Sequence, residues 1–317
     1  MSAQGGSKAI IAALGANLGI AVIKFVAFLF TGSSSMLAES VHSVADSGNQ
    51  ALLILGRNRA KRGSTADHPF GYGRERYFYA FVVAVVLFTV GSLFSLYEGY
   101  EKVVHPHQVQ DPIWAFVVLV AAIVMEGFSF RTAIGESNEV RGRQGWFSFI
   151  RRAKSPELPV VLLEDFAALL GLVFALFGVT MAVLTGDGMW DGVGTMAIGV
   201  LLFVVAVTLA IEMKSLLIGE SASADMVTRI VTAIEDGPEI DRVIHIRTMH
   251  LGPEELLVGA KIAVNHDETA SEVADGIDAA ERRLRAAVPI ARVVYLEPDL
   301  YEASRAPSET AAEYPRH

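Results

Sequence analysis

The sequence predicts a membrane protein in two parts: an all-α bundle of six transmembrane helices over residues 1–218, followed by a small α/β domain over residues 219–302. Three observations predict this fold. Of the 317 residues, 52% are hydrophobic and only 19% are charged, whereas soluble domains contain about 25% charged residues. Six apolar stretches are long enough to cross a bilayer. Residues 1–218 hold 16 acidic and 16 basic side chains, whereas residues 219–317 hold 19 acidic and 10 basic ones.

The six apolar stretches are each expected to form a helix. About 20 helical residues cross the roughly 30 Å of hydrocarbon in a bilayer. In lipid, backbone N–H and C=O groups have to bond within the segment, which a helix achieves. The predicted spans are Ala9–Phe30, Ser34–Leu55, Tyr77–Val103, Ile113–Ile134, Leu158–Leu184 and Met189–Ile211. A tight turn over residues 31–35 joins the first two.

Basic residues predict the topology, because they are enriched in cytoplasmic connections. They are concentrated after the second span (Arg57, Arg59, Lys61, Arg62, Arg74, Arg76) and after the fourth (Arg131, Arg141, Arg143, Arg151, Arg152, Lys154). The loops on the other side, around residues 31–34, 104–112 and 185–188, contain no lysine or arginine. Both termini are therefore expected in the cytoplasm, with the bundle in the cell (inner) membrane. Gly145–Ile150 is interpreted as a short interfacial segment.

Composition excludes several classes of function. The chain has no cysteine, which excludes disulfides, thiolate catalysis and thiolate metal sites. A net charge of −9 argues against nucleic acid as a partner. The buried residues offer no grouping of serine, histidine and acid, so an enzyme is not expected. The sequence also lacks the rings of charges or carbonyls that line a channel.

The second span carries a polar stripe. At about 100° per residue, its polar side chains fall within one arc of roughly 100°. They are Glu39, His42, Asp46, Asn49 and Gln50, and they lie opposite Leu37, Val41, Val44 and Leu52. His42 and Asp46 are four residues apart, so they lie one above the other and can share one ion. The alternative is a polar seam for helix packing.

Further acids lie in the fourth and fifth spans. Glu164 and Asp165 are adjacent, so they point about 100° apart and cannot face one ion equally well. Buried carboxylates repel each other unless a proton or a cation intervenes. One imidazole with several carboxylates suits Zn²⁺, Fe²⁺ or Mn²⁺. Glu126, in the fourth span, is a further ligand, a proton carrier or a structural acid.

At these residues the sequence resembles the cation diffusion facilitator family of proton-coupled divalent-metal exporters, over residues 8–302. The matching pieces are 31–46 (TGSSSMLAESVHSVAD), 67–75 (DHPFGYGRE) and 296–298 (LEP). The stretch AESVHSVADSGNQ and the motif LLED look most like the subgroup that contains the vertebrate mitochondrial zinc transporter.

The resemblance implies a transport site built by two residues of the second span and two of the fifth. His42 and Asp46 match the first pair, and Asp165 matches the acid of the second. Val161 stands where the family has a histidine or aspartate, which leaves Glu164, and next Glu126, as replacements. The implied function is export of Zn²⁺, with Fe²⁺ or Mn²⁺ as alternatives, in exchange for protons by alternating access, in a homodimer within the bilayer. The alternative is a non-transporting membrane metal sensor or scaffold whose polar stripe is an assembly interface.

The C-terminal part is expected to have the order αββαβ: helices over residues 225–235 and 271–288, the second with Ser271 as N-cap, and strands over 242–249, 256–264 and 292–296. The resemblance implies a ferredoxin-like cytoplasmic domain that dimerises. The family's regulatory metal positions hold Ile244, Ala260 and Tyr295, with Glu297 retained, so no metal bridge is expected. In the loop after the second span, Asp67 and His68 match a second family site, but Tyr72 replaces its later histidine. Residues 303–317 are expected to be disordered.

Overall fold

The computed structural model describes residues 7–31, 34–106 and 112–301, without the side chains of residues 30, 31, 34–39, 41, 42 and 45. The chain divides into two compact units, Met1–Leu217 and Ile218–His317. Residues 32 and 33 of the predicted turn over 31–35 lie outside the described residues, as does the whole predicted tail over 303–317. His42 is described only by its backbone, within the second helix.

The first unit is entirely helical. Its elements are α1 (Ser7–Thr31), α2 (Ser34–Ala60), α3 (Glu75–Val86), a π-helical segment (Leu87–Leu93), α4 (Phe94–Val104), α5 (Pro112–Arg141), α6 (Trp146–Arg152), α7 (Glu157–Thr185) and α8 (Met189–Ile218). The segment from α3 to α4 is one continuous span of 30 residues. In the described part of the chain, five helices are long and apolar enough to cross a membrane: α1, this continuous span, α5, α7 and α8.

The second helix is the exception among the six predicted spans. Its 27 residues would reach across a bilayer. Because of its polar stripe, however, it is not apolar enough to be one of the five helices named above. Among the residues of this stripe with described side chains, Asn49 and Gln50 are buried, whereas Val44 on the opposite face is 54% exposed. The predicted two-faced helix is thus observed, and its passage through the membrane remains a prediction.

Several basic residues lie on helices rather than in the connections where the sequence placed them. Arg57 and Arg59 occupy the last turn of α2, and Arg141 occupies the last turn of α5. The predicted spans ended where the apolar stretch ended, but the helices continue beyond it. Cations near a helix C-terminus are favoured by the helix dipole. Arg76 differs again, because it lies in the first turn of α3 and is buried.

Helix contacts run in series from α3 through α2, α1 and α5 to α7. α1 contacts α2 and α5, α5 contacts α7, and α2 contacts α3. Elsewhere glycine lets helices approach at backbone distance: a Cβ added at Gly99 of α4 would lie 2.6 Å from the backbone nitrogen of Met196 in α8. Small residues allow such contacts between membrane helices. Lys102 adds ion pairs to Glu98 at 3.0 Å and to Asp191, at the start of α8, at 3.1 Å.

The second unit has the predicted order αββαβ: α9 (Ala224–Glu235), β1 (Arg242–Gly252), β2 (Glu255–Ala263), α10 (Ala270–Ala287) and β3 (Val293–Asp299). The sheet order is β1-β2-β3, with β1 antiparallel and β3 parallel to β2. The core contains Ile230, Leu256, Ile262 and Leu284, each with 0% exposure. The ferredoxin-like assignment remains a prediction.

One predicted cap in this unit is wrong. The N-cap of α10 is Thr269, not Ser271, and its hydroxyl accepts a hydrogen bond from the backbone N–H of Glu272. The Glu272 carboxylate in turn accepts from the backbone N–H of Thr269 at 2.8 Å. This reciprocal pair needs an acid three residues after the cap. Thr269 and Glu272 have that spacing, which Ser271 cannot offer.

Candidate metal site in the transmembrane unit

Four carboxylates from three helices define the candidate site. Asp46 of α2 is partly buried. Glu126 of α5 is 3% exposed, and Glu164 and Asp165 of α7 are 7% and 2% exposed. Aspartate and glutamate are almost never buried to this degree unless they are paired. The way in which each carboxylate is held therefore indicates what the site can do.

Glu164 is held by two amides of α2. The Asn49 Nδ2 donates to Glu164 Oε1 at 2.9 Å, and the Gln50 Nε2 donates to Glu164 Oε2 at 3.0 Å. The Oε1 of Gln50 accepts in turn from Asn17 Nδ2 of α1 at 3.4 Å. Both oxygens of Glu164 are thus occupied by neutral donors, and the chain of amides links α1, α2 and α7. Asn17 therefore connects α1 to α2.

Asp165 points to a different helix. The Ser129 Oγ of α5 donates to Asp165 Oδ2 at 2.6 Å. Ser129 lies three residues after Glu126, on the same face of α5. Glu126 is close enough to Asp165, Glu164 and Asp46 for their negative charges to repel its own. The two adjacent acids of α7 therefore diverge as predicted, Glu164 towards α2 and Asp165 towards α5.

Four of the five predicted site residues have described side chains, and the negative charges of Asp46, Glu164 and Asp165 all act on the fourth, Glu126. The backbone of His42 lies one turn from Asp46 on α2, but its side chain is outside the described part of the chain. Among the described side chains, no three histidines, aspartates or glutamates lie close enough together to hold one ion. Val161, at the position of the fourth family ligand, is completely buried in the apolar core.

No cation neutralises the innermost acids within the described residues. Glu126, Glu164 and Asp165 form no ion pair there, and the donors that reach them are the neutral groups of Asn49, Gln50 and Ser129. Taking a charge out of water costs several kcal/mol unless an opposite charge compensates for it. The arrangement therefore favours the arrival of protons or of a positively charged ion.

Sequence reasoning missed several contacts of this region. The bond from Ser129 to Asp165 had no sequence signal beyond the spacing of Ser129 from Glu126. Glu157 accepts two hydrogen bonds from Arg76, Nε to Oε1 at 2.5 Å and Nη2 to Oε2 at 2.7 Å. The sequence placed Arg76 in the connection after the second span and did not single out Glu157. In addition, the Oδ1 of Asn49 is buried and accepts no hydrogen bond from any described residue.

Two further histidines are held by local contacts. His68 is exposed in the loop after α2, and its ring packs against Tyr72 with 4.5 Å between centroids. Its backbone pairs with that of Thr65. In the second unit, His250 is 2% exposed and lies 3.4 Å from the carbonyl oxygen of Gly252. These histidines contribute to local packing in a loop and in a strand.

Comparison with known proteins places this geometry in context. The family profile described as the cation efflux transmembrane domain matches residues 10–218. The chain is 31% identical over 264 residues to the mitochondrial proton-coupled zinc antiporter SLC30A9 of Xenopus laevis, covering 83% of this chain and 47% of that protein. It is 28% identical over 264 residues to metal tolerance protein C4 of Arabidopsis thaliana, covering 83% and 58%.

A third relative is matched over most of its own length. The chain is 23% identical over 266 residues to the magnetosome protein MamM of Magnetospirillum gryphiswaldense, covering 82% of this chain and 78% of that protein. By contrast, the chain spans about half the length of the SLC30A9 relatives that it matches. A family profile that covers the three acid-bearing helices α2, α5 and α7 agrees with the resemblance seen in the sequence, and the protein belongs to the cation efflux family.

Proposed function

We propose that the protein carries a divalent cation out of the cytoplasm in exchange for protons, with Zn²⁺ as the first candidate and Fe²⁺ or Mn²⁺ as alternatives. The observation that carries this proposal is the group of buried acids Glu126, Glu164 and Asp165, which have no cationic partner among the described residues. Membership of the cation efflux family supports it. The 31% sequence identity to a proton-coupled zinc antiporter supports Zn²⁺ as the transported ion.

The cation would be held by Asp46 and Asp165 together with His42. Imidazole and carboxylate oxygens bind all three metals. Glu164 serves better as a support than as a ligand, because both of its oxygens already accept hydrogen bonds from Asn49 and Gln50. The chain lacks cysteine, so a soft metal such as Cu(I) is disfavoured.

Exchange with protons follows from the chemistry of these ligands. A carboxylate or imidazole has to lose its proton before it binds a metal, so the two kinds of occupancy oppose each other. Buried acids in a low-dielectric environment also favour the neutral form in the absence of a cation. Alternating exposure of the site to the two sides would then move metal in one direction and protons in the other. We place both termini in the cytoplasm and expect a homodimer.

The test is transport by the full-length protein in liposomes with a pH-sensitive dye inside. Addition of Zn²⁺ outside should produce zinc uptake together with proton efflux, and both should fail in the Asp46→Asn variant. A matched control is Asp187→Asn, which removes one carboxylate from an exposed loop and should transport normally.

Competition by Fe²⁺ and Mn²⁺ against labelled Zn²⁺ would rank the three metals. Zinc binding without uptake would refute the exporter and favour a metal sensor or scaffold. That alternative has its best support in Val161, which provides no ligand at the fourth position of the family site. Unchanged zinc uptake in Asp46→Asn would instead refute the proposed binding site, although the protein would still be a transporter.

A further inference from the structure

The connection between α5 and α7 forms a surface that is both basic and aromatic, and the proposed metal site makes no use of it. Residues 141–154 read RGRQGWFSFIRRAK, with five basic residues and no acid. Within it, α6 exposes 38% of Trp146 and 73% of Phe147. We propose that this basic–aromatic surface, residues 141–154, binds the phosphate headgroups of anionic phospholipids.

The position of the surface follows from the helices on either side. α5 and α7 are both long and apolar enough to cross a membrane, so the segment that joins them lies at a membrane surface. One face of α6 is fixed to the transmembrane unit: Phe149 is 3% exposed, and Ile150 packs against the same core. Because α6 is held by this face, its opposite face has a defined orientation.

The exposed face suits the boundary between headgroups and acyl chains. Phe147 and Arg151 are four residues apart on α6, and the guanidinium of Arg151 lies 5.6 Å from the centre of the Phe147 ring. At the start of the surface, the guanidinium of Arg141 lies 4.2 Å from the Trp146 ring. Aromatic rings occupy the interfacial level of a bilayer. Arginine forks match phosphate oxygens in bidentate geometry.

Charge decides which lipid is favoured. A zwitterionic surface offers no net attraction to five basic side chains, whereas an anionic surface attracts each Lys or Arg near it. Arg151 also pairs with Glu212 of α8 at 3.5 Å but remains 61% exposed. Arg143 and Arg152 are exposed as well. Phosphatidylglycerol is therefore expected to displace phosphatidylcholine from this surface.

Trp146 provides a local probe. The chain has three tryptophans, so Trp114→Phe and Trp190→Phe leave Trp146 as the sole source of indole fluorescence in the full-length protein. We would reconstitute this background with brominated phosphatidylglycerol or brominated phosphatidylcholine, with bromine near the glycerol end of the chain. Quenching of Trp146 should show a preference of at least about fivefold for phosphatidylglycerol.

Charge variants test the cause of this preference. Arg143→Gln together with Arg152→Gln should lower it towards one, while the ring contacts of Arg141 and Arg151 remain. Lys61→Gln together with Arg62→Gln removes the same charge from exposed positions after α2 and should leave the preference unchanged. The proposal of a lipid-binding surface would be overturned by equal quenching of Trp146 by the two lipids, or by an equal loss of the preference in the Lys61 and Arg62 control. It would also be overturned if inorganic phosphate at constant ionic strength abolished the preference.

Discussion

The buried carboxylates of the transmembrane unit are of two kinds, which differ in whether a cationic side chain neutralises them. Glu157, at the start of α7, is 2% exposed and accepts two hydrogen bonds from Arg76. Asp165, two turns further along the same helix, is equally buried but accepts from the neutral Ser129. A buried acid with a permanent cation is part of the structure. A buried acid without one is suited to receive a cation from solution.

The same contrast separates structural support from transport. Glu157 and Arg76 join α7 to α3 through a bidentate pair whose loss exposes no new ligand. The acids around Asp165 instead repel each other, which costs stability and creates affinity for protons or metal. Substitution in the Arg76–Glu157 pair should therefore lower stability. Substitution among the acids around Asp165 should lower transport without lowering stability.

The largest effect is expected from Arg76→Met. This change leaves Glu157 buried without its cation, and breaking a buried pair from one side costs about 3–5 kcal/mol. Unfolding of the protein in detergent, induced by heating or by titration with SDS, would measure the loss of stability. The double variant Arg76→Met with Glu157→Leu should recover most of it, because apolar replacement of both partners is often nearly neutral. A double variant as unstable as the single one would show that the pair is not the cause.

The next effect concerns transport rather than stability. Asp165→Asn keeps an oxygen to accept from Ser129 but removes the charge, so zinc flux into liposomes should fall by at least about 100-fold, because loss of a residue that only supports a ligand already costs about 10–100-fold. Without metal, the variant should melt at the same temperature as the unmodified protein or above it, since repulsion with Glu126 is relieved. A clear drop in melting temperature would place Asp165 with Glu157 among the structural acids.

A smaller effect is expected from Glu164→Gln, which tests whether this acid supports the site or binds the ion. The variant preserves the shape of the side chain but turns an amide of its own towards Asn49 or Gln50. A support of this kind usually contributes about tenfold to metal affinity, so the KM for zinc should rise by about that factor. If Glu164 were a direct ligand, flux would instead fall as far as in Asp165→Asn.

The sequence predicted the helices and the polar stripe well because both depend on local periodicity. Asn49 and Gln50 stand on the predicted face of α2, and Glu164 and Asp165 diverge as adjacent residues of a helix must. The contacts between helices were not predictable in the same way. Nothing local indicates that Ser129 meets Asp165, or that Arg76 is buried against Glu157, because both pairs depend on how distant helices pack.

Helix ends show a second limit of sequence reasoning. The apolar stretches end before the helices do, so Arg141 was placed in a connection although it lies in the last turn of α5. In the second unit, Ser271 was taken as the N-cap of α10, but Thr269 has the glutamate three residues on that completes the reciprocal cap. A cap depends on spacing to a partner as well as on the residue itself.

The smallest expected effect lies in the second unit, where acids stabilise the fold at exposed positions. Hydrogen bonds from the backbone N–H and the hydroxyl of Thr269 lower the pKa of Glu272 below its usual 4.5. The contribution of this carboxylate to stability is therefore complete above about pH 4.5 and is lost as the pH falls through the lower pKa of the folded state. In the full-length protein, hydrogen exchange at the first amides of α10, corrected for intrinsic rates, should accelerate over that acidic range. Glu272→Gln should remove this pH dependence, and an unchanged acid response in that variant would assign the effect to another group.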